Sequence, residues 1–379
     1  MVYLDNAATT YPKPPSVISK NSYALVNYGA NPGRSGHRLS METGEAVFAA
    51  RQRCAEFFGA KTENVCFMLN CTEAINTALK GTAEPGCHFI TSDWEHNAVL
   101  RPLTSLSKSN EISFSVARTT DNDSETVTNF ARLIRKETKA VICTAASNVT
   151  GRILPYKKLA AMCQKNNICF ILDAAQGAGV LPISLSDGIN IICAAGHKGL
   201  YGPMGTGLMI TDGRYRLKTL IEGGTGSASR EPEQPEFLPD RFESGTINTA
   251  GIIALGEGVA FVSEKGISAI YEHEWRLCAY AFEQMKKNRR IVLYGSFSRK
   301  NAPLFSFNIA GISSEETASR LSDSGFCLRG GLHCAYLAHK RLGTLETGTV
   351  RFAPSVYTTK YEVNSFLKAL GKITRENIK

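Results

Sequence analysis

Short apolar runs alternate with longer amphipathic stretches through the first two thirds of the chain. Residues 65–69, 87–91, 140–144, 168–172, 189–193 and 205–210 read as strands. Helix-like stretches separate them, one opening at Thr72-Glu73 and another covering 157–166. Strands alternating with helices predict an α/β fold with a mostly parallel central sheet and helices on both faces. In such sheets ligands sit beyond the carboxyl ends of the strands. Thr72, Asp173 and Lys198 fall at those ends. A polar, glycine-rich segment over 222–240 is long enough to be a functional or interface loop. A long helical stretch over 250–287 follows. Residues 291–379 mix short strands and helices, as a smaller α+β domain would. The expected division is a large domain over 15–250 and a small one formed by 1–14 and 251–379.

Composition narrows the class. The chain has 379 residues, 43% hydrophobic and 20% charged, which is ordinary for a globular protein. No apolar run reaches the roughly 18–20 residues that span a bilayer. The start, Met-Val-Tyr-Leu-Asp5-Asn6, lacks the basic and apolar regions of a secretory signal. A cytoplasmic enzyme is the expectation, without a membrane or nucleic-acid partner. The net charge of +9 favours anionic substrates or an acidic partner. The one dense basic cluster, from Lys286 to Arg290, reads as a solvated helix end. Eleven cysteines occur without a CxxC pair or zinc-ligand spacing. They predict reduced thiols and no metal, with Cys143, Cys169 and Cys193 as core residues.

Several polar residues then stand out. Lys198, in Ala-Gly-His197-Lys198-Gly-Leu-Tyr-Gly-Pro, follows an apolar strand and has glycines clearing space around it. It reads either as a turn lysine or as a desolvated lysine that forms a Schiff base with a carbonyl. Asp173 ends a buried strand and could pair a protonated heterocyclic nitrogen, cap a helix or form a structural ion pair. Gln176, one turn further along a helix, could donate to a phenolate-like oxygen. Asn70-Cys71-Thr72-Glu73 opens a helix and could bind an anion, with a threonine cap as the plainer reading. His96, in a loop after a strand, could stack on a planar ring or be merely structural. Arg329-Gly-Gly-Leu-His333-Cys334-Ala335 places a thiol in a basic, glycine-rich loop, where Arg329 and His333 would favour thiolate. The alternative is an inert buried cysteine. Arg351 lies inside an apolar segment and needs a partner, for which a substrate carboxylate would serve.

Together these motifs, in this order, resemble the class V aminotransferase group of fold-type I pyridoxal-phosphate (PLP) enzymes. The chain is most similar there to cysteine desulfurases and selenocysteine lyases of type II, from Tyr3-Leu4-Asp5-Asn6 to Arg351. The resemblance implies the PLP-dependent transferase fold, with Lys198 as the cofactor-bearing lysine and Asp173 as partner of the pyridine nitrogen. It implies Gln176 as donor to the ring oxygen, His96 as the stacking histidine, and Thr72 and His197 as phosphate ligands beside Cys71. Thr246 matches a threonine that reaches the phosphate of a neighbouring subunit, which implies a homodimer with shared sites. Asn148 and Arg351, with Arg329, match the substrate-carboxylate ligands. Cys334 matches the sulfur-accepting cysteine. The implied reaction converts L-cysteine to L-alanine, leaves a persulfide on Cys334, and hands the sulfur to an acceptor protein. A selenocysteine or cystine lyase, an aminotransferase, and a non-catalytic sulfur-transfer scaffold are the alternatives. Four departures mark a divergent member. Ala195 replaces a phosphate-binding serine, with Thr225 as a candidate substitute. Leu332 replaces a histidine, Gly199 is an extra residue after the lysine, and Tyr336-Leu337 replaces a small or polar residue followed by proline.

Overall fold

The computed structural model describes residues 1–33 and 36–376. Strand β1 (Val2–Tyr3) precedes α1 (Pro15–Asn27) and α2 (Arg38–Phe58). Then come β2 (Val65–Met68), α3 (Cys71–Thr82), β3 (Cys87–Ser92), α4 (Asn97–Lys108), β4 (Ile112–Ala117) and α5 (Asp123–Ala131). They are followed by β5 (Thr138–Thr144), α6 (Tyr156–Lys165), β6 (Cys169–Asp173), β7 (Ile191–Ala195) and β8 (Gly207–Thr211). An irregular stretch leads to α7 (Thr249–Lys265), α8 (Ile267–Lys286), β9 (Ile291–Leu293), β10 (Phe305–Ile309) and α9 (Ser314–Asp323). The chain ends with β11 (Phe326–Cys327), α10 (Tyr336–Leu342), β12 (Val350–Phe352) and α11 (Lys360–Glu376).

The α/β class and the mostly parallel central sheet expected from the alternation are present. Seven strands stand in the order β2-β8-β7-β6-β5-β3-β4. The run from β7 to β4 is parallel, and β8 is antiparallel to both of its neighbours. Alternate residues of each inner strand feed opposite cores. Val141, Phe170 and Leu172 face one side, with Leu159 of α6 and Leu255 of α7. Ile142, Cys169 and Ile171 face the other, with Ile75 of α3 and Leu103 of α4. Both faces are covered, so these strands read as continuous apolar runs. Strand β4 escaped the reading because it is an edge strand with an alternating, half-exposed pattern.

A separate three-stranded antiparallel sheet, β12-β10-β9, packs with α8 and α11 around Phe305, Phe307, Phe352 and Phe366. The N-terminus joins this part. β1 pairs in parallel with β11, and Leu4 lies in the same core. The helical stretch expected over 250–287 is two helices. Gly266, at φ 81°, ends α7 and leads directly into α8. The basic cluster is an exposed helix end, as read: Lys286 and Lys287 close α8 in solvent. Among the described residues, no helix is long and apolar enough to cross a membrane, and no side-chain group could hold a metal ion.

Candidate active site

The carboxyl ends of β2, β3, β5, β6 and β7 converge on a cleft of about 240 Å³. Asp173, the last residue of β6, is buried in its wall. Its carboxylate accepts from the Ala175 N–H at 2.9 Å and from the Cys71 thiol at 3.6 Å. Burial pushes this carboxyl above its ordinary pKa, with the Ala175 N–H and the Lys198 charge opposing.

Lys198 faces it, half-buried in the turn that follows β7. The turn is closed by main-chain bonds from Tyr201 N–H to Lys198 O at 2.8 Å and from Gly202 N–H to Gly196 O at 2.8 Å. A Cβ on Gly199 would stand 2.3 Å from the Ala178 carbonyl oxygen. Only glycine lets this turn lie backbone against backbone on the segment after Asp173. That accounts for glycine at this position beside the lysine. Desolvation pushes the Lys198 ammonium below its ordinary pKa, reinforced by Arg351 and Arg329 and opposed by Cys71 and Asp173. A larger share of free amine at neutral pH is the condition for a nucleophilic lysine.

His96 is the N-cap of α4, and its Nδ1 accepts from the Ala98 N–H at 3.0 Å. Burial, aided by the nearby Lys198 and arginine charges, lowers its pKa to about 4, so the ring is neutral. His197 is likewise lowered to about 4, and its buried Nδ1 has no partner. Gln176 also lines the cleft, but no helix follows Asp173; Gln176 sits in a succession of tight turns. Its Nε2 donates to Ala7 O at 2.8 Å. Cys71 and Thr72 open α3 at the cleft edge. The cap is Asn70 rather than threonine: its side chain accepts from the Glu73 N–H at 3.0 Å.

Arg351 is almost wholly buried, and its partner is internal. Its Nη2 lies 2.9 Å from an Asp5 carboxylate oxygen, and its Nη1 donates to Asn148 O at 3.0 Å. Nε alone is left without a partner. The sequence reading missed Asp5 as this partner, although it lies in the N-terminal motif. Asn148 also lines the cleft and donates from Nδ2 to His333 O at 2.7 Å. The reading also missed Glu95, fully buried beside His96. Its carboxyl accepts from the Ser92 hydroxyl and the Thr144 N–H, and burial pushes its pKa up to about 8.

Three candidates fall elsewhere. Among the described residues Cys334 is the only exposed cysteine, and it stands just outside the cleft lining. Arg329 lines the cleft and points Nη2 at the Cys334 sulfur, 3.9 Å away. His333 cannot supply a second positive charge. Its buried ring bonds Thr349 O through Nε2 at 2.8 Å, and burial with the Arg351 charge lowers its pKa to about 2. Thr246 is exposed in the irregular stretch before α7, away from the cleft. Thr225 lies in a second groove of about 540 Å³, where its hydroxyl bonds Ser227.

A buried acid supports the lysine turn from behind. The Tyr201 hydroxyl donates to Glu274 at 3.3 Å and accepts from the Val356 N–H at 3.2 Å. Burial raises the Glu274 pKa to about 8 from the usual 4.5. A raised folded pKa contributes stability that is present below the unfolded value and lost as pH rises through the folded one. Glu274→Gln should therefore gain on wild type across pH 5 to 8, by at most about 1.4 kcal/mol per pH unit. Thermal melts of both proteins across that range check this. A constant difference between them would mean that Glu274 is ionised in the fold.

The family model for aminotransferase class-V matches residues 2–366. A probable cysteine desulfurase of Mycolicibacterium paratuberculosis is 30% identical over 98% of this chain and 55% of its own length. The chain thus spans little more than half of that relative. A probable cysteine desulfurase of Synechocystis is 29% identical over 99% of this chain and 91% of its own length. The apo structure of a cysteine desulfurase from Thermococcus onnurineus has a TM-score of 0.92 at 28% identity, covering 99% of this chain and 95% of that one. The family match over nearly the whole chain, on a sheet whose strand ends gather Asp173, His96 and Lys198, means that this protein belongs to the class-V aminotransferase family.

Proposed function

We propose that the protein is a PLP-dependent cysteine desulfurase that converts L-cysteine to L-alanine and takes the sulfur as a persulfide on Cys334. The observation that carries this reading is the joint placement of a desolvated lysine, a buried strand-end carboxylate and a neutral histidine in one cleft, with an exposed thiol just beyond its wall. The residues fit the cofactor. Asp173 is a buried carboxylate without an ion-pair partner among the described residues, which suits a protonated pyridine nitrogen. The unpartnered Nδ1 of His197 and the start of α3 suit the phosphate end. Lys198 would carry the cofactor, His96 would stack on it and Gln176 would bond its ring oxygen.

When bound, the cofactor supplies an electron sink for carbanion chemistry at the substrate Cα. Asn148, Arg329 and the free Nε of Arg351 hold the substrate carboxylate. Lys198, as the free amine, takes the Cα proton and later returns one. The nucleophile is the Cys334 thiolate, whose sulfur has the Arg329 guanidinium 3.9 Å away. That thiolate attacks the substrate sulfur: an S–S bond forms, the C–S bond breaks, and its electron pair stays on carbon to be protonated as alanine. The exposed Thr246, together with exposed Leu25, Val26, Leu39 and Met41 on and beside α1 and α2, supports a homodimer that shares its sites. An acceptor protein then takes the sulfur from Cys334.

The test is incubation of the PLP-loaded protein with L-cysteine, with alanine quantified and Cys334 examined by mass spectrometry. One alanine per turnover and a 32-Da adduct, about the mass of one sulfur, on Cys334 are expected. Cys334→Ser should keep the bound cofactor and lose both products by about 10²-fold or more. Full sulfide release by Cys334→Ser would overturn the persulfide route. Activity of that variant on selenocysteine alone would assign the protein to the selenocysteine lyases.

A further inference from the structure

The backbone around Cys334 is held in an uncommon shape. His333 and Cys334 lie in succession in the left-handed region, at φ 48° and 55°. Neither is glycine, so the surrounding structure must enforce the shape. The Ala335 N–H closes the turn on Leu332 O at 2.9 Å. Asn148 Nδ2 donates to His333 O, and the His333 ring bonds Thr349 O. The cysteine's own carbonyl is held by one donor, the Asn97 N–H, at 2.7 Å.

Asn97 is the first residue of α4, directly after His96. A first-turn N–H has no partner within its own helix and is free to bind outward. Here it points at Cys334 O. The Asn97 side chain grips the same loop a second time, because its Oδ1 accepts from the Tyr336 N–H at 3.4 Å. The residue beside His96 therefore clasps the peptides on both sides of Ala335. Among the described residues the thiol's one hydrogen-bonding neighbour is Arg329 Nη2 at 3.9 Å, so its direction depends on the backbone beneath it.

We propose that Asn97 is a positioning residue for sulfur transfer, because its main-chain N–H and side-chain oxygen clasp the Cys334 loop and set the thiol's line of approach to the cleft. The inference rests on Cys334 being the sulfur acceptor. Attack on a substrate sulfur needs a near-attack geometry, and a misplacement of about 1 Å can cost about 10²-fold. The clasp ties the attacking group to the helix that also carries His96, so thiol and cofactor site share one reference point.

Asn97→Pro tests this with little damage to the helix. Proline is well accepted at the first helical position. His96 already has φ −69° and ψ 155°, the extended shape favoured before proline. The substitution removes the N–H and the side-chain oxygen together. Asn97→Ala removes only the longer bond. Alanine formation from L-cysteine should fall in the order wild type, Asn97→Ala, Asn97→Pro, with kcat for the proline variant down about tenfold or more. KM and the visible absorbance of bound PLP should stay unchanged. Equal kcat for the two variants, or a KM change in place of a kcat change, overturns the proposal. Amide hydrogen exchange of the wild-type protein decides the matter should the proline variant fail to fold. The Asn97 amide should exchange at least about tenfold more slowly than a free amide, and exchange at the free rate overturns the clasp. Exchange needs no substrate, so a failure of the desulfurase reading would show separately, as wild-type protein that forms no alanine.

Discussion

Lys198→Ala should yield a folded protein that cannot retain PLP covalently and turns over more than about 10³-fold more slowly. The fold should survive because the turn is held by its main chain. Lys198 O accepts from the Tyr201 N–H and the Thr10 hydroxyl, and neither bond needs the side chain. On the proposed route the chemistry should not survive, because the amine would be both the attachment point and the base for the Cα proton. Borohydride treatment of the PLP-loaded wild type, followed by peptide mapping, should mark Lys198 and leave the variant unmarked. A second lysine carrying the label in wild type would refute the assignment. The competitor inside this neighbourhood is Lys13, whose pKa burial lowers to about 8. It is committed elsewhere, however: its Nζ donates to the Thr10 hydroxyl at 2.7 Å and to His197 O at 2.8 Å.

Asp173→Asn should separate stability from catalysis. Asparagine keeps the shape and can still accept from the Ala175 N–H, but it carries no charge to hold a protonated pyridine nitrogen. Turnover should fall on the order of 10²-fold to 10³-fold with the cofactor still attached. The cofactor-free variant should melt at or above the wild-type temperature. Burial already disfavours the Asp173 carboxylate, so removing its charge relieves a cost of folding. Steady-state rates and melts of the cofactor-free proteins together decide it. Turnover within tenfold of wild type would remove Asp173 from the chemistry, and a large drop in melting temperature would make it structural.

The legible part of this molecule is the part written in short windows. Strand runs buried on both faces are continuous, and Asp173 and Lys198 stand at their ends, where a reader looks for ligands. The unread part depends on contacts between distant segments. Arg351 invited a partner, but nothing in its own segment points to Asp5, which lies 346 residues away. His333 sits next to Cys334 in sequence and reads as a charge donor. Its ring turns inward to Thr349, and burial leaves it neutral. The helical stretch over 250–287 is legible in its composition, but Gly266 adopts a positive φ that no periodicity predicts. Glu95 is not marked as buried by its own segment, because the Thr144 N–H that holds it comes from 49 residues away.

The pairing of β1 with β11 gives the chain an unusual order of assembly. Val2 and Tyr3 find their places only when Phe326 and Cys327 have been made. Asp5 waits longer still, for Arg351. The central sheet, complete at Thr211, can form well before either event. A nascent chain of that length would have Lys198 and Asp173 in place, with the segment before α1 still unanchored and Cys334 not yet made. Arg351 and its tether to Asp5 are both completed only with the C-terminal part, so on the proposed route a chain stalled before them should form no alanine.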